Sequence, residues 1–416
     1  MKKITTSIAA LVFSLAFSQK NTDSLYEVRP LKIDEINFIS GYYDQTGTHS
    51  AIMGGNGSEK IEDFHNALDI RLIKKSGKLE HSFGVNLTAE HHTSASTAYI
   101  DKSPEGATTI PNGIKTKRIA LSKASGSNNN ETHAESSASN LFGWRFNPSL
   151  NWKVKNLEKN TTFGLGAYYS YEFDYNSWGG EVSFVKASQD NNREFSIKAM
   201  AFFDQRQYII PYELRNTMSY GDWRSKNSYS VNMAYSQVIN QRLQISLLGD
   251  VAYQQGLLST PYNRVYFDNY TVSNEKLPDK RLKIPVGLRA NYFLGDNFIF
   301  RTYYRYYWDD WGMTAHTASL EVPVKFSPNF SLSPFFRYHT QTGIKYFNEY
   351  ATTPTGLDFY SSDYDLSKFN SQNVGLNLHF VPQDWGVFHD VDFRYSHYKR
   401  SDGLSGNNLT LSLTFK

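Results

Sequence analysis

The sequence predicts an all-β chain closed into a single antiparallel transmembrane β-barrel of about sixteen strands, with about fourteen or eighteen as the alternatives. Three observations predict it. The chain is polar on average yet crowded with aromatic residues, apolar and polar side chains alternate at period two, and the connections between alternating stretches sort into short and long by parity.

The N-terminus sets the compartment. Lys2 and Lys3 precede an apolar run from Ile8 to Phe17 that ends in Ala16-Phe17-Ser18. A basic start, a short apolar run and a small-x-small ending make a secretory signal peptide, expected to be cut between Ser18 and Gln19. The run is too short for a spanning helix, which needs about 20 apolar residues, and no Cys follows it to take a lipid. Residues 1–18 are read as the signal peptide, 19–34 as a periplasmic N-terminal segment and 35–416 as one barrel domain.

Hydrophobic residues make up only 40% of the chain while aromatic residues reach 15%, which suits a closed sheet with aromatic girdles at both membrane interfaces. Composition alone leaves an aromatic-rich soluble β-protein open. The absence of Cys excludes a disulfide framework and a thiolate metal site. A formal net charge of +3 with scattered Lys and Arg argues against a nucleic-acid partner.

Alternation runs the length of the chain. Phe83, Val85 and Leu87 oppose Gly84, Asn86 and Thr88, and Phe163, Leu165 and Ala167 oppose Gly164 and Gly166. Leu243, Ile245, Leu247 and Val251 oppose Gln244, Ser246 and Asp250; Ile284, Val286 and Leu288 oppose Lys283, Gly287 and Arg289. Tyr304, Tyr306 and Trp308 alternate with Arg301, Arg305 and Tyr307, and Val374, Leu376 and Leu378 with Asn377 and His379. Strands are expected near 35–45, 64–74, 80–92, 143–154, 160–173, 178–187, 194–206 and 227–238, then 241–254, 281–293, 296–308, 313–326, 329–342, 370–381, 385–398 and 407–416.

From a periplasmic start, every second connection is then tight, as at Lys75 to Leu79, Ile239 to Asn240 and Ser327 to Pro328. The opposite set holds every long loop: Thr46 to Asp63, Thr93 to Phe142, Gln207 to Lys226, Gln255 to Lys280 and Gly343 to Phe369. A soluble sandwich has no reason for such sorting, whereas a membrane barrel keeps periplasmic turns short and extracellular loops long. The last stretch, Leu409, Leu411, Leu413 and Phe415, is similar to the terminal strand signal read by the barrel-assembly machinery, although Lys416 follows the aromatic.

The segment from Pro261 to Leu378 resembles domain-of-unknown-function family 3570 (DUF3570). The residues carrying the resemblance are Arg301 to Gly312 (RTYYRYYWDDWG), Pro334 to Gln341 (PFFRYHTQ) and Ser361 to Ser367 (SSDYDLS), with an echo in Tyr171 to Ser177. It implies an outer-membrane barrel of Gram-negative bacteria, found in Bacteroidetes and Proteobacteria. It implies no substrate.

Charges on lumen-facing registers are the leading functional candidates, because a charge facing lipid at mid-depth costs about 2–4 kcal/mol. They are Arg301, Arg305, Glu321, Arg337, His339, Asp390, Asp392 and Arg394. Facing rows of opposite sign would polarise a pore and select solutes by charge and size; the bland alternative is mutual pairing inside a plugged barrel. Asp309 and Asp310, beside Trp311 and Gly312, and the pair Glu172 and Asp174 are candidates at the extracellular mouth. Adjacent carboxylates there suit a cation, and a solvated turn with Trp311 as a girdle residue is the alternative. His91, His92, His133 and Glu135 lie at or beyond the third strand, with no spacing specific to a metal.

No nucleophile elbow, zincin motif or phosphate loop occurs in the sequence, so no catalytic residue, metal or cofactor is expected. The expectation is a non-enzymatic outer-membrane pore or transport-associated channel for small polar or charged solutes. A plugged structural or ligand-binding barrel within an envelope complex is the alternative, and a barrel enzyme acting on lipid the third. Its expected partners are outer-membrane lipid and lipopolysaccharide, the barrel-assembly machinery and an unidentified envelope protein.

Overall fold

The computed structural model describes residues 31–94, 142–383 and 385–416. The expected signal peptide at 1–18, residues 19–30 of the expected N-terminal segment, His133, Glu135 and the interior of the Thr93 to Phe142 loop lie outside the described residues.

The wall begins with β1 Lys32–Gly47, β2 Glu59–Ser76, β3 Leu79–Ser94, β4 Phe142–Asn156 and β5 Thr161–Glu172. It continues with β6 Tyr175–Ala187, β7 Arg193–Gln207, β8 Trp223–Asn240 and β9 Leu243–Gly256. A small hairpin, β10 Arg264–Tyr266 and β11 Val272–Asn274, stands apart from the wall in the next loop. The wall resumes with β12 Lys280–Leu294, β13 Phe298–Asp309, β14 Thr314–Glu321 and β15 Val324–Ser327. It ends with β16 Phe330–Gln341, β17 Phe369–Phe380, β18 Phe388–Arg400 and β19 Ser405–Phe415.

Each strand pairs antiparallel with its chain neighbours, and β19 returns to β1 from Ile36↔Phe415 to Thr46↔Ser405, so the sheet has no free edge. β14 and β15 are two halves of one stave, which makes a closed barrel of sixteen staves. The sequence reading treats residues 313–326 as one unbroken strand. The break falls at Val322 and Pro323, because proline has no N–H to give to the ladder.

Side chains sort by register. Leu247, Val286, Tyr304, Leu320, Phe336 and Val374 all point outward and all stay exposed, Leu247 at 57% and Val374 at 53%. An apolar surface this continuous is unstable in water and fits hydrocarbon. Aromatic residues band its two ends: Tyr171, Trp178, Tyr306 and Trp308 toward the long loops, Tyr292, Phe298, Phe330 and Trp385 toward the short turns. At the closing seam Ile36, Leu68 and Phe415 form a buried apolar cluster with Phe38, Phe388 and Leu413 packed against it.

The turns at the short end are built from left-handed residues, among them Gly77 (φ 59°) and Gly295 (φ 63°), where a Cβ would strain the backbone. Long loops gather at the other end and knit into a cap. Loop 257–279 leaves β9 and reaches across the mouth. There Arg264, fully buried, grips Glu213 at 2.6 and 3.0 Å and donates to the Ile52 carbonyl at 2.8 Å. Ile52 belongs to the loop between β1 and β2, and β1 lies half-way round the ring from β9. The loop is thus a strap across the barrel mouth. Isolated bridges Phe267↔Thr353 and Lys276↔Tyr360 fasten it to the loop between β16 and β17.

Candidate functional site

Among the cavities that open in the described residues, one lies under the strap and one in the lumen wall. The first is about 480 Å³ and lies between the strap, the β1 to β4 wall, the loop before β17 and the turn after β18. Six carboxylates line it, Glu59, Asp63, Glu90, Asp363, Asp365 and Asp402, against Arg145, Arg400, His49 and His92. Alternation places Glu59, Asp63, Glu90, His92 and Arg145 on the inner face, since each pairs across the ladder with another inward residue (Asp63↔His92, Glu90↔Arg145).

Both guanidiniums are engaged. Arg145 contacts Glu90 at 3.3 Å and Glu172 at 2.9 Å; Arg400 contacts Asp402 at 2.5 Å and also Asp365. Glu59 accepts from Gln45 at 2.9 Å, leaving the cavity acid-rich. In the cap, burial pushes the Asp363 carboxyl well above the ordinary range, and the charges of Asp365 and Glu275 push it further. Burial likewise raises Glu275, which accepts from Ser361 at 2.5 Å and from the Thr260 N–H at 2.6 Å.

The mouth candidates divide. Glu172 is buried on the inner face, held by Arg145 and by His92 at 3.2 Å, and Asp174 follows it in the turn to β6. Burial and the charge of Glu172 raise the Asp174 carboxyl. Asp309 is fully buried: Arg281 (2.6 Å), Tyr307 (2.7 Å) and the Met313 N–H (3.0 Å) all donate to it, so it fastens the turn. Asp310 accepts from the Leu282 N–H at 3.0 Å. Trp311 is a correction to the girdle reading. It is 3% exposed, packs with Leu277, Met313 and Ile344, and donates to the Lys280 carbonyl at 2.8 Å, because its turn folds under the cap rather than onto lipid.

The eight lumen candidates all fall on the inner register. Arg301 pairs with Glu321 at 2.9 Å, and Glu321 also meets Arg394 at 3.5 Å, whose guanidinium lies 4.0 Å over Phe335. Asp392 contacts His379 at 3.1 Å and Asp390 contacts His389 at 2.7 Å; His379, Asp390 and Asp392 gather closely enough to face one cation. Arg305 is different. Among the described residues no carboxylate lies within 4.0 Å of Arg289, Arg305 or Arg337. Arg289 and Arg305 instead face Tyr303 and Tyr307 at 5.8 Å.

The signs of charge separate across the ring. On β12 and β13 the inner register carries Arg281, Lys283, Arg289, Arg301 and Arg305 against Asp309. Half-way round, on β2 and β3, it carries Glu59, Asp63, Asp69, Glu80 and Glu90 against Arg71 and Lys75. The smaller cavity, about 300 Å³, is lined by Arg337, His339, Ser371, Asn373 and Tyr398. Sequence reasoning singles out the first two only; Ser371 and Asn373 carry no signal beyond their inward register, Asp363 is marked only by lying in the SSDYDLS stretch that carries the family resemblance, and Arg264 and Glu275 by no motif.

Comparison with known proteins gives a family and a set of folds. No curated protein matches the chain significantly. Among solved structures it is similar to a BenF-like porin from Pseudomonas fluorescens, at 9% identity over 92% of this chain and 98% of that one, with a TM-score of 0.41. It is similar to the outer-membrane protein OpdK from Pseudomonas aeruginosa, at 7% identity over 92% and 97%, TM-score 0.39. A bacterial polysaccharide outer-membrane secretin gives 9% identity over 92% and 98%, TM-score 0.42. The family described as "Protein of unknown function (DUF3570)" matches residues 5–413, extending the resemblance of the C-terminal half through the N-terminal half as well. With nearly the whole length matched, the chain belongs to the DUF3570 family.

Proposed function

We propose that this barrel is a non-enzymatic outer-membrane channel for small polar or charged solutes, entered past the strap and the acid-lined cavity. The observation that carries the reading is the set of lumen guanidiniums, Arg289, Arg305 and Arg337, with no carboxylate beside them among the described residues. A desolvated, unpaired guanidinium is costly, so these three require water around them and a wet interior. The opposed acidic and basic arcs then place a transverse field across the path, which favours charged and dipolar solutes over apolar ones. In this reading lipid and lipopolysaccharide cover the apolar exterior, and the assembly machinery reads β19.

Planar-bilayer recording of the purified mature chain tests it. Stable open steps are expected, with altered conductance or ion selectivity in Arg301→Ala and Arg337→Ala. Silence from protein that still shifts on gels between boiled and unboiled samples overturns the channel.

The strap favours a second reading, a plugged barrel that binds a ligand at its mouth. Releasing the clasp with Arg264→Ala separates the two: a channel conducts before and after the change, whereas a plugged barrel conducts only after it.

A further inference from the structure

We infer that the lumen wall holds a built site for a small oxyanion, the carboxylate or phosphate group of a solute, centred on Arg337. The inference deepens the channel reading and rests on it for its purpose, while its geometry stands alone.

Three adjacent strands build the site. Arg337, Asn373 and Tyr398 lie on one rung across β16, β17 and β18, and His339, Ser371 and Arg400 on the rung two residues away. Period-two alternation turns both rungs toward the lumen. Between them opens the pocket of about 300 Å³.

What lines this space points to an anion. Its five residues include a guanidinium, an imidazole, two hydroxyls and an amide, and no carboxylate. Arg337 has no acidic partner among the described residues, so its forked donors are available to a planar oxyanion. Asn373 adds its side-chain amide to the lining, and an amide NH₂ can donate to an oxyanion. Ser371, 5% exposed, adds a hydroxyl-bearing side chain to the lining.

The surroundings reinforce the sign. His339 is fixed from both ring nitrogens, by Thr317 at 2.8 Å and Gln341 at 3.2 Å, and stands within electrostatic range of Arg337, Arg305 and Arg400. Arg400 is neutralised by Asp365 and Asp402, but Arg305 is not, so two uncompensated guanidiniums act on the pocket. A cation is repelled there and an oxyanion attracted.

The test is single-channel recording of the full chain in potassium chloride, with sodium phosphate or sodium acetate added. Saturable reduction of the open current is expected at millimolar concentrations of at least one of the two, and which one acts tells phosphate from carboxylate chemistry. Arg337→Gln weakens that block by about tenfold or more, and Arg337→Lys, which keeps the charge but loses the fork, restores only part of it. Asn373→Asp, which puts a carboxylate into the pocket, abolishes it while the gel shift on boiling reports an intact barrel.

Open steps that neither anion changes, or a block that Arg337→Gln leaves intact, overturn the oxyanion site and leave the channel standing. If no steps appear, the channel reading fails instead. Equilibrium dialysis of radiolabelled phosphate and acetate against the folded protein in detergent then decides the site: binding lost in Arg337→Gln supports it, and no binding overturns it.

Discussion

Two parts of the lumen wall handle their charges in opposite ways. Under the strap, Arg145 and Arg400 are each tied to two carboxylates, and further round Arg281 is locked to Asp309. Lower on β12, β13 and β16, Arg289, Arg305 and Arg337 face the lumen with no such partner among the described residues. The difference teaches that the guanidiniums at the turns and under the cap are held by carboxylates, whereas the strand wall, already held by its ladder of hydrogen bonds, carries both arrangements: Arg301 and Lys198 pair with Glu321 and Glu181, and Arg289, Arg305 and Arg337 are left facing the lumen.

The comparison is sharpest where pairing is buried. Asp309→Ala strands the Arg281 guanidinium, 9% exposed, without its carboxylate, and removing one partner of a buried pair costs about 3–5 kcal/mol. Thermal unfolding followed by the gel shift should show the variant opening far below the parent. An unchanged midpoint would mean the pair holds nothing.

The cap supplies a smaller, pH-dependent effect. Asp363 and Glu275 are raised above the ordinary carboxylate range by burial, Asp363 additionally by Asp365 and Glu275. The folded cap therefore holds protons that the opened cap would release. Its stability is fully present below the ordinary carboxylate pKa and is lost as pH rises through the raised values. Hydrogen exchange in residues 257–279 and 342–368 should slow as pH is lowered toward 4, about the ordinary carboxylate value, after correction for the intrinsic rate. Asp363→Asn should flatten that dependence.

The smallest effect on stability belongs to the unpaired side. Arg305→Gln removes a cation that no carboxylate among the described residues holds, so the melting midpoint should move by no more than about 0.5 kcal/mol equivalent. Its reversal potential in a salt gradient should shift toward cations all the same. A large loss of stability would show that Arg305 belongs with the structural pairs.

Most of the wall was legible in the sequence because period-two alternation and loop parity are local signals. Leu247 and Val286, or Arg301 and Glu321, betray their faces through immediate neighbours, and all sixteen staves fall where the pattern puts them. Only Pro323 interrupts it, in a stave that the apolar spacing alone would run straight through. The cap was not legible. Arg264 finds Glu213 across 51 positions and Ile52 across 212, and no spacing rule links them. Asp309 and Trp311 read as a solvated turn because Trp311 is buried by Ile344 and Leu277, which arrive from other loops, and Asp309 is held by Arg281 from the neighbouring strand. The Arg337 pocket falls between: register shows that Asn373 and Tyr398 face inward, but not which rung they share.

Everything rests on a closed sheet with hydrocarbon outside and water within, and the absence of Cys permits a direct test. Single Cys replacements at Phe336, Arg337, Tyr338 and His339 on β16 can be challenged in liposomes with a charged maleimide. Labelling at 337 and 339 but not at 336 and 338 is the expected result. Equal labelling at all four positions would contradict the barrel.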